Sequence, residues 1–518
     1  MSDLTNSASL RSSSRRLPIG GGVVLFFAAI LSLGFFGWFL GNASTLLYGD
    51  AEAHLNIARR IWDNREPGYH EIGTVWLPVP HLLSLLFTMN DSMWRSGSAG
   101  AIPAAMCFVL ACWLFFRALR SSLDSNTAAF AGVAVLALNP NLLYLQAAPM
   151  TEAIFLCFLA GLLYSTLKDW PTRAALLTLA ATLTRYEGWA LIPAVFAFFL
   201  WKRRWSAAIL YGCMASLGPV YWLVHNWWLF GSALAFYDGP WSAKAIYQRQ
   251  LDGGMQRHPA DGNWFEAVHY FLEAARLTLG EGLLIIGLAG ALYYAAKRRT
   301  QLWPVIFLAI PPLFYIYSLR SAGTPIFVPG LWPNSYYNSR YALSLLPLAA
   351  FGVAALVRVI EREYRTISAV VLVFACMLPW LVYRNHQSEW ICWRESQVNS
   401  EVRRDWTARG GNFMWSQYAR GDGIWYNFGD LTGILRFAGI PLRETLHEGN
   451  ELQWYSTLAR PDLLLREKWV IAFEGSPLAK AVAGLPYETA AIYPTGGHGP
   501  AVMIFRRKVS VTRLPVVP

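Results

Sequence analysis

Charged residues are scarce in this sequence. They make up 14% of the 518 residues, against about 25% in an ordinary soluble domain, while 55% of the residues are hydrophobic. The apolar residues lie in long runs, such as residues 20–40, which carry no charge. A run of that length can cross a hydrocarbon layer of about 30 Å. The sequence therefore predicts a polytopic membrane protein rather than a set of soluble domains.

Cysteine spacing excludes a disulfide framework and a CxxC metal site. Cys392 stands alone in the C-terminal region, and the other five cysteines lie inside apolar runs, where they are typical of small core residues: Cys107, Cys112, Cys157, Cys213 and Cys376. The sequence also lacks an internal repeat, and it has no low-complexity tract beyond its Ser- and Arg-rich start.

About eleven apolar segments are predicted to cross the bilayer as helices: roughly 20–42, 97–119, 127–146, 152–168, 172–186, 188–201, 206–230, 279–296, 302–319, 340–358 and 366–383. The first segment is too long for the apolar core of a cleaved signal peptide, so we expect an uncleaved first span. Residues 20–383 then form the transmembrane domain, preceded by a tail at 1–19 and followed by a region at 384–518.

Basic clusters give these spans a direction, because cytoplasmic loops carry an excess of Lys and Arg. The tail contains three arginines, and every second loop after it is basic: Arg117 and Arg120, Lys168 and Arg173, residues 202–204, residues 297–299, and Arg358, Arg362 and Arg365. The tail is therefore predicted to be cytoplasmic and the C-terminal region to lie outside. Because the charge of +11 comes from these short clusters, no nucleic-acid partner is expected.

The extracytoplasmic parts have their own predicted structure. The first outer loop, 43–96, contains two segments that we expect to lie as helices at the membrane interface, 51–64 and 76–89. The C-terminal region alternates strand-like and helix-like runs, which predicts a small α/β domain. Its strands are predicted at 424–428, 469–473, 490–493 and 501–505, with helices near 431–438 and 477–483. Its aromatic residues suit either carbohydrate stacking or a core.

Ionisable and polar residues gather in the loops that this topology places outside. They come from four separate loops: Asp50, Glu52, His54 and His81 from the first, Glu152 from the next, then Arg185, Tyr186 and Glu187, and finally Arg340 and Tyr341. Ionisable groups near apolar surroundings are unfavourable by several kcal/mol unless they are paired or functional. Their placement on one side predicts a shared polar cavity.

Each of these residues also has an ordinary structural explanation. Asp50 stands before a helical run and suits an N-cap, and Glu152 in a first helical turn suits the helix dipole. Arg185 and Arg340 suit snorkelling to lipid head groups. His81 suits a cap or simple packing.

Two acids and two cations at an outer membrane surface match the needs of one reaction class. ATP and nucleotide sugars are not expected there, so a group transfer must use an activated donor delivered through the membrane, such as a polyprenyl-phosphate sugar. The leaving phosphate needs positive charge, which arginine or histidine supplies. The acceptor hydroxyl needs a base, and a positioned carboxylate can act as one.

Several motifs resemble those of GT-C glycosyltransferases, in particular family 39, the protein O-mannosyltransferase and aminoarabinose-transferase type. GDAEAHL at 49–55 and WLPVPH at 76–81 resemble the acidic motif and the His/Pro-rich segment of their first outer loop. PMTE at 149–152 resembles a second acidic position, and TRYEG at 184–188 resembles a segment that carries a basic residue. Ser-Arg-Tyr at 339–341 resembles a late Arg-Tyr motif. The order and spacing match over 20–383.

The resemblance implies inverting transfer of a sugar from a polyprenyl-phosphate donor by a bacterial inner-membrane enzyme whose site faces the periplasm. Asp50 would be the catalytic base, and Glu152 would assist it or orient the acceptor. Substrate binding is expected from Glu52, His54, His81, Arg185, Tyr186, Glu187, Arg340 and Tyr341, with the two arginines on the donor phosphate. Neither a cofactor nor a catalytic metal is expected.

The sequence departs from the family pattern in two places, and two other functions stay open. Ala51 splits the usual adjacent acidic pair, and Arg185 stands where lysine is common. A transporter or flippase for a lipid-linked sugar would place polar residues deep in the spans, whereas most span centres here are free of charge. An en bloc oligosaccharide ligase would use the same kind of site. The acceptor is not predicted.

Overall fold

The computed structural model describes residues 19–382, 390–497 and 499–508, which are mainly helical with a small C-terminal sheet. The predicted cytoplasmic tail lies outside the described residues except for its last position. Helices of the first range are α1 (Ile19–Gly41), α2 (Gly49–Arg60), α3 (Val79–Thr88), α4 (Asp91–Ser96), α5 (Ser98–Leu123), α6 (Asn126–Ala137), α7 (Pro140–Leu145), α8 (Glu152–Leu167), α9 (Pro171–Thr182), α10 (Leu191–Trp201), α11 (Trp205–Phe230), α12 (Ala235–Asp238), α13 (Ala243–Asp252), α14 (Trp264–Leu279), α15 (Glu281–Lys297), α16 (Trp303–Arg320), α17 (Leu346–Val359) and α18 (Arg365–Val382).

Every predicted apolar segment contains a helix, but the helices differ in length. Among the described residues, six helical stretches are long and apolar enough to cross a membrane: Gly20–Gly41, Ser98–Leu123, Trp205–Phe230, Trp303–Arg320, Ser339–Val359 and Arg365–Val382. A bent pair, α14 with α15, is a seventh candidate. Helices such as α6 and α8 have 12 and 16 residues, which at 1.5 Å per residue is shorter than a bilayer core of about 30 Å. The count of eleven spans therefore stays a prediction.

Side-chain amides at one helix break form hydrogen bonds with the backbone beside another helix break. The pair α14 and α15 is bent by 113° at Gly280, and α6 ends before Asn139, after which α7 begins with Pro140. The carbonyl of Thr278, near the first break, accepts hydrogen bonds from the side-chain nitrogens of Asn139 (2.9 Å) and Asn141 (3.0 Å). Backbone groups freed by a break need such partners inside an apolar medium, so these two breaks depend on each other.

The C-terminal domain is a five-stranded mixed sheet with helices around it. Its strands are β1 (Ile424–Tyr426), β2 (Thr445–Leu446), β3 (Trp469–Phe473), β4 (Tyr487–Tyr493) and β5 (Val502–Arg507), in the order β2-β1-β3-β5-β4. Strands β1, β2 and β3 are parallel, and β5 runs antiparallel to β3 and β4. Its helices are α19 (Ile391–Gln417), α20 (Thr432–Ala438), α21 (Glu451–Ala459), α22 (Pro461–Leu464) and α23 (Pro477–Val482). The aromatic residues Trp425, Tyr426 and Trp454 are buried in its core.

Helix α2 differs from the predicted interfacial helix, because it is buried on both sides. Its apolar residues Ile57 and Ala58 pack inward, yet Glu52, Asn56 and Arg59 on the polar side are also buried. The C-terminal domain pairs with α2 and with the segment that follows it: Glu52 of α2 pairs with Arg436 (2.8 Å), and beyond the helix Asp63 pairs with Arg443 (3.1 Å) and Arg65 with Glu467 (2.7 Å). An amphipathic pattern cannot distinguish a water-facing side from a side covered by another domain.

Helices α15 and α17 approach each other through small residues. A methyl group built on Gly352 would lie 1.8 Å from the carbonyl oxygen of Gly287, and one built on Gly290 would lie 2.1 Å from the carbonyl oxygen of Gly352. Small residues let helix backbones come this close, which is a common basis of helix association in membranes. The contact supports α17, whose preceding turn carries Arg340.

We expect Gly352→Ala to lower the thermal midpoint of the protein purified in detergent. The methyl group must push α15 away, and overpacking of this kind destabilises by about 1–3 kcal/mol. Gly34→Ala on α1 is the matched control, because nothing lies within 4 Å of the added methyl group. Replacing a helical glycine normally stabilises by about 0.5–1 kcal/mol, so equal midpoints for the two variants would contradict the close α15–α17 contact.

Candidate active site

Arg340 lies at the centre of a buried polar cluster. Its guanidinium forms ion pairs with Asp50 and with Glu152 (Nε to Oε1, 3.2 Å). The rings of Tyr48 and Tyr341 lie on it, with centroids 5.0 and 4.9 Å from the guanidinium carbon. Arg340 is 5% exposed, so this is an enclosed charge rather than a residue that snorkels to the surface.

Arg185 is the second guanidinium of the cluster and shares a carboxylate with the first. Its Nη1 donates to Oε1 of Glu152 at 2.9 Å, and its Nε donates to Glu187. It also donates to the hydroxyl of Tyr315, which in turn donates to Oε1 of Glu187 at 2.8 Å. The ring of Tyr315 stacks on that of Tyr341, with centroids 4.7 Å apart. Three carboxylates and two guanidiniums thus form one connected network.

The acids of the network lie where helices begin. Asp50 is in the first turn of α2, Glu152 is the first residue of α8, and Glu187 is in the 3-10 turn Tyr186–Ala190. Helix N-termini favour negative charge. The alternative role of Asp50 as an N-cap does not hold, since α2 begins at Gly49 after Tyr48 and no side chain caps it. The Asp50 side chain is one-third exposed, the most open acid of the network.

A cavity of about 40 Å³ lies beside the two arginines. Its polar lining consists of the charged residues Glu152, Arg185, Glu187 and Arg340 and the hydroxyl-bearing residues Tyr315, Tyr341 and Ser344. The rest of the lining is apolar: Leu142, Phe155, Leu156, Leu159, Pro311, Leu343, Leu346 and Pro347. The cavity as it stands has room for only a few water molecules, but it joins positive charge to an apolar wall. Arg340 lies between this cavity and the more exposed Asp50.

The two predicted histidines contact each other. Nδ1 of His54 and Nε2 of His81 are 2.9 Å apart, and both side chains are buried. Burial, together with the positive charges of Arg340 and Arg185, lowers the pKa of His54 to about 3. The ring of His54 also meets the edge of Trp76, with centroids 4.4 Å apart. His54 is therefore a neutral hydrogen-bonding group behind the arginines.

Two further predicted substrate-binding residues, Glu52 and Tyr186, have their partners outside the network. Glu52 pairs with Arg436 and faces Arg403 at 3.6 Å, both from the C-terminal domain. The Tyr186 hydroxyl donates to the carbonyl of Val75 (2.8 Å), and its ring stacks on Phe236. Glu52 thus joins two domains and Tyr186 packs in an apolar cluster, so the structure brings neither residue to Arg185 or Arg340.

The network also contains residues that sequence reasoning missed. Tyr315 lies near the end of the predicted span 302–319 and Tyr48 before α2, and neither carries a local signal. Thr151 accepts a hydrogen bond from Arg185 at 2.5 Å. Within the described ranges, no group of three or more His, Cys, Asp or Glu side chains is arranged to hold a metal ion.

We expect acidification to destabilise the protein through His54. The folded state keeps this group neutral down to a pKa of about 3, whereas the unfolded group has a pKa of 6.5. Protons therefore bind preferentially to the unfolded chain below pH 6.5, and stability falls as the pH falls. At pH 5 the loss is about 2 kcal/mol. Thermal unfolding at pH 7.5 and pH 5 should show a smaller drop for His54→Gln than for wild type.

The control for this measurement is His269→Gln, because His269 is half exposed on α14. This variant should show the full wild-type drop. An equal drop in all three proteins would mean that His54 titrates normally in the folded state.

Comparisons with known proteins identify no family for this chain. None of the protein-family models matches the sequence, and no curated protein matches it. Among solved structures, the chain is similar to the oligosaccharyltransferase of Archaeoglobus fulgidus in its apo form. The two share 12% sequence identity with a TM-score of 0.46, over 88% of this chain and 69% of that one.

Proposed function

We propose that this protein is a membrane glycosyltransferase that moves a sugar from a polyprenyl-phosphate donor to an acceptor hydroxyl. One observation carries the proposal. Arg340 lies between an accessible carboxylate, Asp50, and a cavity that joins two guanidiniums to an apolar wall. A lipid phosphate needs positive charge and an apolar surface side by side, and a hydroxyl acceptor needs a carboxylate nearby.

The two arginines would hold the donor phosphate. Both project several N–H donors, which suits phosphate oxygens, and both border the cavity. The prenyl chain would leave along the apolar wall formed by residues such as Phe155 and Leu159. Because the present cavity is small, donor binding must widen it.

Asp50 would act as the base. In the present state its carboxylate is paired with Arg340, and a bound phosphate competes for that guanidinium and releases Asp50. The acceptor O–H proton then passes to Asp50 while the acceptor oxygen bonds to the sugar C1. The C1–O bond to phosphate breaks, and its electron pair remains on the phosphate oxygen, where Arg185 and Arg340 stabilise the charge. Attack opposite the leaving group inverts C1.

The family and the location belong to the same proposal. The motifs of the first loop and the Arg-Tyr segment support a GT-C enzyme of the family 39 type in a bacterial inner membrane. The basic loops support a cytoplasmic N-terminus and a periplasmic site. Contacts between predicted inner loops agree with this arrangement, since Arg358 donates to the carbonyl of Leu123 and Arg204 pairs with Asp169.

Two other functions share these features, and two experiments separate the three. A strain that lacks the gene is analysed for lipid-linked sugars by mass spectrometry. Single-sugar transfer predicts that one monosaccharide–lipid phosphate accumulates, whereas an en bloc ligase predicts a lipid-linked oligosaccharide. A transporter predicts movement of the lipid across vesicles without a covalent product.

We expect Asp50→Asn to abolish sugar transfer, because the amide cannot accept the acceptor proton. Loss of a positioned base typically lowers the rate about 10²–10⁴-fold. Transfer is measured with purified protein in detergent and a polyprenyl-phosphate sugar. Asp91→Asn is the matched control, since Asp91 belongs to the same loop, is largely exposed and pairs with Arg59 instead. An active, well-expressed Asp50→Asn protein would contradict the assignment of Asp50 as the base.

Transfer should also persist in EDTA. The guanidiniums supply the positive charge that a divalent ion would otherwise provide at the phosphate, and family 39 enzymes are generally thought not to need a catalytic metal. The measurement compares initial rates before and after EDTA treatment and after addition of Mg²⁺ or Mn²⁺. A loss in EDTA that either ion restores would favour metal-dependent chemistry of the oligosaccharyltransferase type.

A further inference from the structure

A buried acid of the C-terminal domain binds the backbone just before Arg340. Glu395 on α19 is 1% exposed. Its Oε1 accepts a hydrogen bond from the backbone N–H of Asn338 at 3.0 Å. Its Oε2 accepts from the N–H of Ser339 at 2.9 Å and from the Ser339 hydroxyl at 2.5 Å. One carboxylate therefore receives three hydrogen bonds from two consecutive residues.

The backbone of these two residues has an uncommon conformation. Asn338 has a φ of +57°, in the left-handed region that non-glycine residues seldom occupy. Consecutive N–H groups in such a turn point the same way and form a concave site for an anion. Glu395 fills that site, and the Asn338 side chain fixes the turn from the other direction by donating to the carbonyl of Pro325 at 3.0 Å.

Ionised Glu395 suits this position better than an uncharged group does. A carboxylate only accepts hydrogen bonds, and all three of its neighbours donate. Burial raises the pKa of Glu395, while the positive charge of Arg340 and the hydrogen bonds from Ser339 oppose that rise. The carboxylate and Arg340 thus stabilise each other although they make no direct contact in this state.

Helix α19 holds the Glu395 carboxylate in a fixed position. Three residues before Glu395, the N–H of Cys392 donates to Oδ1 of Asn141 at 2.9 Å. Four residues after it, the side chain of Asn399 donates to the carbonyl of Tyr336 at 2.8 Å. The helix is therefore fastened to the transmembrane domain on both sides of Glu395.

We propose that Glu395 is a positioning residue of the active site. It fixes the backbone of residues 338 and 339 and thereby holds the Arg340 guanidinium between Asp50 and Glu152. The C-terminal domain is then part of the catalytic apparatus, since it supplies this support. The proposal of a catalytic consequence rests on the glycosyl transfer proposed above, whereas the structural coupling can be measured without it.

The test compares Glu395→Gln with Glu467→Gln in the full-length protein in detergent. The amide of Glu395→Gln keeps the shape but turns one acceptor into a donor that faces an N–H group. Glu467 is a matched control, because it is another buried acid of the same domain, and it pairs with Arg65 rather than with the Arg340 segment. Hydrogen exchange of the peptide that spans 337–341 is measured first, and donor-dependent transfer second.

We expect exchange at 337–341 to rise about tenfold in Glu395→Gln and to stay at the wild-type rate in Glu467→Gln. We expect kcat to fall about tenfold or more in Glu395→Gln, with the donor KM within about threefold of wild type. A misplaced guanidinium mainly loses stabilisation of the charge that develops on the leaving phosphate. Ser339→Ala removes one of the three hydrogen bonds and should cause a smaller change of the same kind, and it replaces Glu395→Gln if that variant does not fold.

Unchanged exchange at 337–341 in Glu395→Gln and in Ser339→Ala would overturn the coupling. An equal loss of kcat in Glu467→Gln would contradict a specific role of Glu395, because it would show a general effect of the C-terminal domain. If wild type transfers no sugar but exchange rises only in Glu395→Gln, the coupling stands and the proposed function fails.

Discussion

Burial of the Arg340 guanidinium is the constraint on which the rest of the site depends. A charge that leaves water is unfavourable by several kcal/mol unless counter-charges and hydrogen bonds replace the water. Here the replacements come from distant parts of the chain: Asp50 from the first loop, Glu152 from α8 and the ring of Tyr48. The fold must therefore bring these segments together at one level, and the helix ends at this level are arranged around that single charge.

Local sequence patterns predicted most of the secondary structure. Apolar runs located a helix in every predicted span, and a short apolar run located the strand Trp469–Phe473 at its full length. The short strand Thr445–Leu446 was not predicted, because two residues are too few to show a strand pattern. Helix α19 was not predicted either, because its sequence is polar and shows no regular apolar face. What covers α2 could not be predicted, since a buried ion pair and a hydrated charge look the same in a sequence.

The candidate site was predictable where a residue type has few other uses near a membrane. Acids and arginines at the ends of apolar runs require partners, so Asp50, Glu152, Arg185 and Arg340 could be chosen from the sequence, and the structure brings these four together. Tyr315 could not be chosen, because tyrosine in an apolar helix is ordinary. Partners far apart in the sequence, such as Glu52 and Arg436, could not be predicted either, since such pairs depend on tertiary contacts across hundreds of residues.

The contact between α2 and the C-terminal domain has a consequence for biosynthesis. Glu52 and its partner Arg436 are separated by 384 positions. At about 5–20 residues per second, the ribosome needs roughly 20–80 s to make the second after the first. During that interval α2 has been synthesised, but the arginine that pairs with Glu52 has not. The Glu52 carboxylate of the nascent chain must therefore remain unpaired with Arg436 until then. Completion of the contact between α2 and the C-terminal domain is thus a late event, which can occur only after Arg436 has been synthesised.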